Sequence, residues 1–110
     1  LLGAAALGDI GKHFPSTDPQ YKGISSITLL ERIQTILNDN GVEIENVDAT
    51  VICEKPRLAA HTDRMRANIA GALSIDISQV SVKASSTNGL GLIAHGEGIA
   101  ALAVALIKKD

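Results

Sequence analysis

The fold is decided by two neighbouring stretches, Ser25-Ser-Ile-Thr-Leu-Leu-Glu-Arg-Ile-Gln-Thr-Ile-Leu-Asn-Asp-Asn40 and Asn46-Val-Asp-Ala-Thr-Val-Ile-Cys53. In the first stretch, apolar residues recur every three or four positions from Ile27 to Leu37, which is the period of one face of an α-helix. In the second, every other residue is apolar, which is typical of a strand with one buried face. Gly41 stands between them and favours a helix end there. The sequence therefore predicts a helix followed closely by a strand.

The same alternation continues towards the C-terminus. A helix is predicted from about Leu58 to Leu73, and a second strand at Val80–Ala84. The segment Ile99–Lys108 is ambiguous, since its Ala and Leu content favours a helix whereas its length also allows a buried strand. Without a repeat or a linker, the 110 residues predict one α/β (α+β) domain over residues 1–110. Its expected architecture is a small mixed sheet with helices packed on one face.

Composition and charge argue against several classes of partner. Hydrophobic residues make up 45% of the chain, which argues against disorder. The formal net charge of −2 provides no general attraction to nucleic acid or anionic lipid, and one Phe, one Tyr and no Trp offer few surfaces on which bases could stack. The longest apolar run, Ile99–Ile107, is far shorter than the roughly 20 residues that span a bilayer. We therefore expect neither a nucleic-acid nor a membrane partner.

The cysteine count and the first residues carry two further expectations. Cys53 is the only cysteine, so no disulfide can form within the chain and no multi-cysteine zinc site is available. It ends an apolar strand face, and a structural thiol is the expected role because no general base is identifiable beside it. The stretch from Leu1 to Leu7 is typical of the end of an apolar helix, closed by Gly8 and with no N-cap before it, which predicts missing residues upstream.

Polar residues collect in three loops, at Asp9–Asp18, Glu54–Arg57 and Ser85–Asn88. The third loop places three hydroxyls and an amide directly after a strand, where hydroxyls and backbone N–H groups can cradle a phosphate. The alternative is an ordinary polar turn. Arg57 and Lys83 could neutralise phosphate charge, although such side chains are more often simply solvated.

The remaining candidate residues are less specific. Asp9 and Asp18 could bind hydroxyls or a metal ion, but Asp beside Gly and Pro is more often a turn or capping residue. The histidines His13, His61 and His95 are too far apart in sequence to be predicted as a set of metal ligands. His61 falls on the apolar stripe of its predicted helix, which favours a packed role.

Three blocks of the sequence carry a resemblance to a known family. The first is Leu1-Leu-Gly-Ala-Ala-Ala-Leu-Gly-Asp-Ile-Gly-Lys-His-Phe-Pro-Ser-Thr-Asp-Pro-Gln-Tyr-Lys-Gly23. The second is Asn46-Val-Asp-Ala-Thr-Val-Ile52, followed by Lys55-Pro-Arg57. The third is Val80-Ser-Val-Lys-Ala-Ser-Ser-Thr-Asn-Gly-Leu-Gly91, with Gly96-Glu-Gly-Ile-Ala100. Together and in this order they resemble the 2-C-methyl-D-erythritol 2,4-cyclodiphosphate synthases, and three long blocks are far more specific than a lone phosphate loop. The family also makes the ambiguous last segment a strand.

The resemblance implies a homotrimeric enzyme of the non-mevalonate isoprenoid pathway, a phosphorus–oxygen lyase with active sites between subunits. Its implied substrate is 4-diphosphocytidyl-2-C-methyl-D-erythritol 2-phosphate. The 2-phosphate attacks the β-phosphorus of the cytidine diphosphate group, the cyclic diphosphate forms and CMP leaves. The family uses Zn²⁺ and a second divalent ion, Mg²⁺ or Mn²⁺, on the diphosphate, in keeping with the general role of proteins in phosphoryl transfer as a source of geometry and charge. The implied location is the bacterial cytoplasm, or the plastid in a eukaryote.

Under this resemblance, matching positions imply roles for individual residues. The erythritol hydroxyls are held by Asp9 and Gly11, and Ile10 between them is a further substrate-binding residue. The loop over that part of the substrate comprises Phe14, Pro15, Ser16, Thr17 and Asp18. The cytidine pocket comprises Cys53, Glu54, Lys55, Pro56, Arg57, Leu58 and Ala59. The diphosphate loop comprises Ser85, Ser86, Thr87 and Asn88, of which Ser86 is the catalytic residue that polarises the attacked phosphate.

The sequence also departs from the family pattern. Asn88 stands where a Glu usually contacts the second metal, so weaker metal binding is expected. Leu92 and His95 stand where Phe and Arg are usual, beside the central cavity of the trimer. The family's zinc ligands are expected upstream of Leu1, so no metal ligand is assigned within the chain, and the 110 residues alone are expected to be inactive. The alternative function is that of a non-catalytic trimeric homologue that binds a nucleotide or phosphate.

Overall fold

The computed structural model describes residues 1–54, 57–86 and 98–110. Within these ranges, one sheet contains the strands β1, Val42–Ile52; β2, Val80–Ser85; and β3, Ala100–Lys109. The α-helices are α1, Ile10–His13; α2, Ser26–Asp39; and α3, Thr62–Leu73. Short 3₁₀ helices lie at Pro19–Tyr21, Ala59–His61 and Ile77–Gln79. The predicted succession of helix, strand, helix and strand is confirmed.

The sheet is mixed, as predicted, and its strand order is β2-β1-β3. The central strand β1 pairs in parallel with β2, with Ile52 opposite Ser85 at the carboxyl ends of both strands. It pairs antiparallel with β3, in which Ala100 lies opposite the same Ile52. Because β1 and β2 run in the same direction, their carboxyl ends meet at one edge of the sheet.

The helices α2 and α3 pack against each other and against the sheet. Leu37 of α2 and Leu73 of α3 are only 1% exposed, and Val80 at the start of β2 is 2% exposed. Burying an aliphatic side chain of this kind contributes about 1.5–3 kcal/mol relative to leaving it in water. A few apolar contacts therefore hold the two helices to one face of the sheet.

Local signals explain the bounds of α2. Ser25 is the N-cap, and its hydroxyl accepts a hydrogen bond from the backbone N–H of Ile27 at 3.2 Å. The helix ends at Asp39, Asn40 is its C-cap, and Gly41 then adopts a φ of +67°. A residue without a Cβ enters this left-handed region at little cost, so the chain can turn directly into β1.

Three details differ from the sequence-based expectations. The polar loop predicted at Asp9–Asp18 contains α1, and the 3₁₀ helix Pro19–Tyr21 directly follows it; both helices begin at a capping aspartate. The helix predicted from Leu58 begins as a 3₁₀ turn and becomes α-helical only at Thr62. The first turn is closed at Ala6 (φ +58°) rather than at Gly8, because the N–H groups of Ala6 and Leu7 bond back to the carbonyls of Gly3 and Leu2.

The ambiguous last segment is the strand β3, as the family resemblance implied. Propensity did not decide it, because the ten residues are fixed by pairing with β1 rather than by their own helix preference. Ala103 and Ala105 of β3 face the helices, so the alternate residues Leu102, Val104 and Leu106 point to the opposite face. These three side chains are 67%, 73% and 64% exposed. Among the described helices, none is long and apolar enough to cross a membrane.

Candidate functional site

A cleft lies at the edge of the sheet where β1 and β2 both end. Its volume is about 470 Å³, and its described lining consists of Cys53, Glu54, Arg57, Leu58, Ala59, Ala84, Ser85 and Ser86. The parallel pairing of the strands explains this arrangement, because it carries the residue after Ile52 and the residue after Ser85 to the same place. The structure thus brings two of the three sequence-predicted loops together.

Hydrogen bonds join the two loops across this cleft. The backbone N–H of Cys53 donates to the carbonyl of Ser85 at 3.1 Å, which extends the ladder one step beyond the strands. The Ser86 hydroxyl donates to Oε1 of Glu54 at 2.7 Å. The Ser85 hydroxyl donates to the carbonyl of Ser86 at 3.2 Å. The site residues therefore sit on a connected frame rather than on independent loops.

The two candidate cations have different environments. Arg57 is exposed and lines the cleft, where its guanidinium can reach a bound anion. Lys83 instead pairs with Asp48, its Nζ lying 3.1 Å from Oδ1 and 3.2 Å from Oδ2. The contact to Oδ1 is ionic and lacks the angle of a hydrogen bond, whereas Oδ2 accepts one. Of the two cations, Arg57 is therefore the one placed to neutralise phosphate charge.

The predicted erythritol-binding residues lie elsewhere in the chain. Asp9 and Ile10 line a second cavity of about 530 Å³ between the helices and the sheet, whose other walls are mostly apolar, including Leu30 and Ile33. Asp9 is the N-cap of α1, with Oδ1 accepting from the backbone N–H of Lys12 at 3.0 Å. Gly11 follows within the same short helix. One chain therefore holds its two groups of candidate residues in separate cavities.

The predicted loop over the substrate is organised by local contacts. The Phe14 ring meets the Tyr21 ring edge-on, with 5.4 Å between the centroids. Pro15 begins a turn in which its carbonyl accepts from the N–H of Asp18 at 3.0 Å, and this turn includes Ser16 and Thr17. Hydrogen bonds from the side chain and then the backbone of Gln20 hold the pKa of Asp18 below its ordinary value. Asp18 thus acts as a capping residue, which was the commoner of its two predicted roles.

Six predicted site residues lie outside the described residues: Lys55, Pro56, Thr87, Asn88, Leu92 and His95. Among the residues that are described, His, Cys, Asp and Glu form no group of three that could hold a metal ion. A zinc site therefore does not fit this part of the chain. The Glu54 carboxylate and the Ser85 and Ser86 hydroxyls are hard oxygen donors, which suit Mg²⁺ or Mn²⁺ held jointly with a phosphate.

Sequence reasoning named both Glu54 and Ser86 but missed the contact between them. The two residues are 32 positions apart, and no spacing signal connects them. Only the register of β1 against β2 reveals that the two strand ends meet. Ala84, which also lines the cleft, was not singled out as a site residue.

Comparison with known proteins gives consistent matches over nearly the whole chain. The YgbB family matches residues 1–108. Proteins named 2-C-methyl-D-erythritol 2,4-cyclodiphosphate synthase from Alkaliphilus oremlandii and Clostridium perfringens are 54% and 55% identical over 109 residues, which is 99% of this chain. The chain spans 69% and 70% of the length of these two relatives.

Solved structures agree with this match. The bifunctional IspDF from Campylobacter jejuni aligns with a TM-score of 0.93 and 38% identity, covering 99% of this chain and 30% of that one. A CDP complex of IspF from Plasmodium falciparum aligns with a TM-score of 0.83 and 30% identity, covering 98% of this chain and 64% of that one.

Proposed function

The chain belongs to the YgbB family, and from this premise we propose that it acts as a 2-C-methyl-D-erythritol 2,4-cyclodiphosphate synthase in the non-mevalonate isoprenoid pathway. The reaction converts 4-diphosphocytidyl-2-C-methyl-D-erythritol 2-phosphate into the cyclic diphosphate and CMP. The curated relatives quoted above are bacterial, and a bacterial cytoplasmic location forms part of the proposal. A plastid location stays a prediction for the case of a eukaryotic source.

The observation that carries the proposal is the cleft at the joined ends of β1 and β2. It combines the exposed guanidinium of Arg57 with the hydroxyls of Ser85 and Ser86. Forked N–H donors and hydroxyls are the groups that bind phosphate oxygens. The similar Plasmodium falciparum protein has been solved in complex with CDP. We assign the cytidine diphosphate part of the substrate to this cleft.

The proposed chemistry needs no nucleophile from the protein, because a phosphate of the substrate attacks. The chain holds the diphosphate so that its β-phosphorus faces that phosphate, and positioning of this kind replaces a bimolecular encounter. Ser86 donates a hydrogen bond to an oxygen that gains negative charge during attack, and Arg57 neutralises the diphosphate. A divalent cation, when bound at the oxygen donors of this cleft, would supply further positive charge.

We further propose a homotrimer with the active site shared between subunits. Two observations support this. The candidate groups around Asp9 and around Ser86 lie in separate cavities of one chain, so a second copy is needed to join them. The row Leu102, Val104 and Leu106 is apolar and exposed, which is the composition of a surface that a neighbouring subunit covers.

The experiment that tests the proposed function at this cleft is a comparison of nucleotides by calorimetry. The intact protein, which means the 110 residues together with any residues upstream of Leu1, is titrated with CMP and with AMP. A pocket that hydrogen-bonds the edge of cytosine leaves groups unpaired with adenine, so CMP should bind at least about tenfold more tightly. Equal affinity for the two nucleotides would reject the assignment of the cleft and the function built on it.

A further inference from the structure

Glu54 places a carboxylate at the mouth of a cleft to which a diphosphate has been assigned. The residue is half-buried and is the second residue after β1, while Ser86 is the first residue after β2. The 2.7 Å separation between Ser86 Oγ and Glu54 Oε1 is that of a charge-assisted hydrogen bond. In this state the Ser86 hydroxyl proton points to a carboxylate rather than to a phosphate.

Among the charges of the described lining, the Glu54 carboxylate repels an anionic ligand. Glu54 contributes one negative charge to the lining and Arg57 one positive charge. Lys83 is not part of this lining and forms an ion pair with Asp48. The two lining charges cancel, whereas a nucleoside diphosphate brings at least two negative charges. Like charges a few ångströms apart repel strongly when they are partly withdrawn from water. Among the described lining residues, no net positive charge offsets phosphates beside Glu54, and a bound cation would supply it.

We propose that Glu54 is a ligand of the divalent cation that accompanies the diphosphate, so that nucleotide binding in this chain depends on Mg²⁺ or Mn²⁺ through this side chain. The inference rests on the proposed function of the cleft. Mg²⁺ is commonly held by one or two carboxylates together with substrate phosphates, and a single carboxylate beside a phosphate site meets that requirement. Once Glu54 turns to the cation, the Ser86 hydroxyl is released to donate to a phosphate oxygen.

A role for Glu54 as a base acting on Ser86 is disfavoured by the chemistry. The attacking group in the proposed reaction is a phosphate of the substrate, so deprotonating a serine hydroxyl would serve no step. Orientation of Ser86 alone would require only a hydrogen-bond acceptor, and a glutamine would supply one without a charge. The substitution Glu54→Gln therefore separates the two roles.

The test measures the thermodynamic coupling between CDP and Mg²⁺ in the intact protein. Calorimetry gives the affinity for CDP with and without Mg²⁺ in the wild type, in Glu54→Gln and in the charge-matched control Glu31→Gln, whose side chain is exposed on α2. Two ligands that bind cooperatively usually change each other's affinity by about 5–150-fold. We expect a factor in this range for the wild type and the control, and a factor close to one for Glu54→Gln. Without Mg²⁺, Glu54→Gln should bind CDP more tightly than the wild type.

Binding of Mn²⁺, followed by electron paramagnetic resonance, provides a second readout that does not depend on activity. Addition of CDP should increase the amount of protein-bound Mn²⁺ in the wild type and not in Glu54→Gln. If CDP binds and the coupling factor is the same in both proteins, the role of Glu54 is wrong while the proposed function stands. If the wild type binds no CDP under either condition, the proposed function fails together with this inference.

Discussion

Ser86 is the residue on which the proposed chemistry depends most. It lies just beyond the last residue of β2, and its hydroxyl donates a hydrogen bond to Oε1 of Glu54 at 2.7 Å. The sequence predicts a phosphate-binding role for this serine, because hydroxyls directly after a strand are a local pattern. Its partner could not, because a contact over 32 positions depends on strand register and not on local pattern. The pairing of Lys83 with Asp48 was missed for the same reason.

Replacing Ser86 by Ala should lower kcat more than it raises KM. The lost hydrogen bond matters most when the phosphate oxygen gains charge, and removing such a donor typically reduces turnover by about 10²–10³. Steady-state kinetics of the intact protein measure the two constants separately. The control is Ser81→Ala on the exposed side of β2, which should leave both constants unchanged. An unchanged kcat in Ser86→Ala would remove the hydroxyl from the mechanism.

At the scale of elements, those with a clear period of apolar residues could be predicted from the sequence, and those without one could not. The helix α2 and the strands β1 and β2 have clear periods of apolar residues, and each was found near its predicted place. The short helix α1 and the 3₁₀ helix Pro19–Tyr21 have no such period, because each depends on one capping aspartate. The strand β3 has a helix-like composition, and only its pairing with β1 and the family resemblance favour the strand.

Arg66 connects α3 to the beginning of β2, the strand that precedes the proposed diphosphate loop. Its Nε donates to the carbonyl of Val80 at 2.7 Å, and its Nη2 donates to the carbonyl of Ile77 at 3.1 Å. A lysine cannot reproduce this forked geometry. Since hydrogen bonds to charged groups contribute about 1.5–3 kcal/mol, we expect Arg66→Lys to lower the free energy of unfolding by about 2 kcal/mol.

Urea denaturation measures this difference, and Arg64→Lys on the exposed side of the same helix is the matched control. The midpoint should shift to lower urea for Arg66→Lys and remain in place for Arg64→Lys. Equal midpoints for the two variants would show that the contacts of Arg66 contribute nothing to stability.

At the scale of the whole molecule, the exposed apolar row on β3 predicts association. Light scattering of the intact protein at micromolar concentration should give three times the mass of one chain. Val104 is 73% exposed in the single chain, so Val104→Glu should leave the fold of each chain intact while placing a charge in the interface. We expect that variant to shift to the monomer with an unchanged circular dichroism spectrum. A wild-type protein that is monomeric would contradict the assembly.

Mixing two inactive variants tests whether the active site is shared between subunits. Ser86→Ala disables the cleft and Asp9→Asn disables the other group of residues. In trimers assembled from equal amounts of both chains, about a quarter of the sites should combine the intact cleft of one chain with the intact Asp9 group of its neighbour. Co-refolded mixtures should therefore recover about a quarter of the wild-type turnover. Recovery that does not exceed the sum of the separate variants would place the whole site within one chain.

The most direct test of the central claim is turnover of the intact protein with 4-diphosphocytidyl-2-C-methyl-D-erythritol 2-phosphate, followed by phosphorus NMR. CMP and the cyclic diphosphate should appear together in equal amounts when a divalent cation is present, and Ser86→Ala should slow the formation of both to the same extent. If the intact protein binds CMP selectively but releases none from this substrate, it is a nucleotide-binding homologue rather than a synthase, and the proposed function is contradicted.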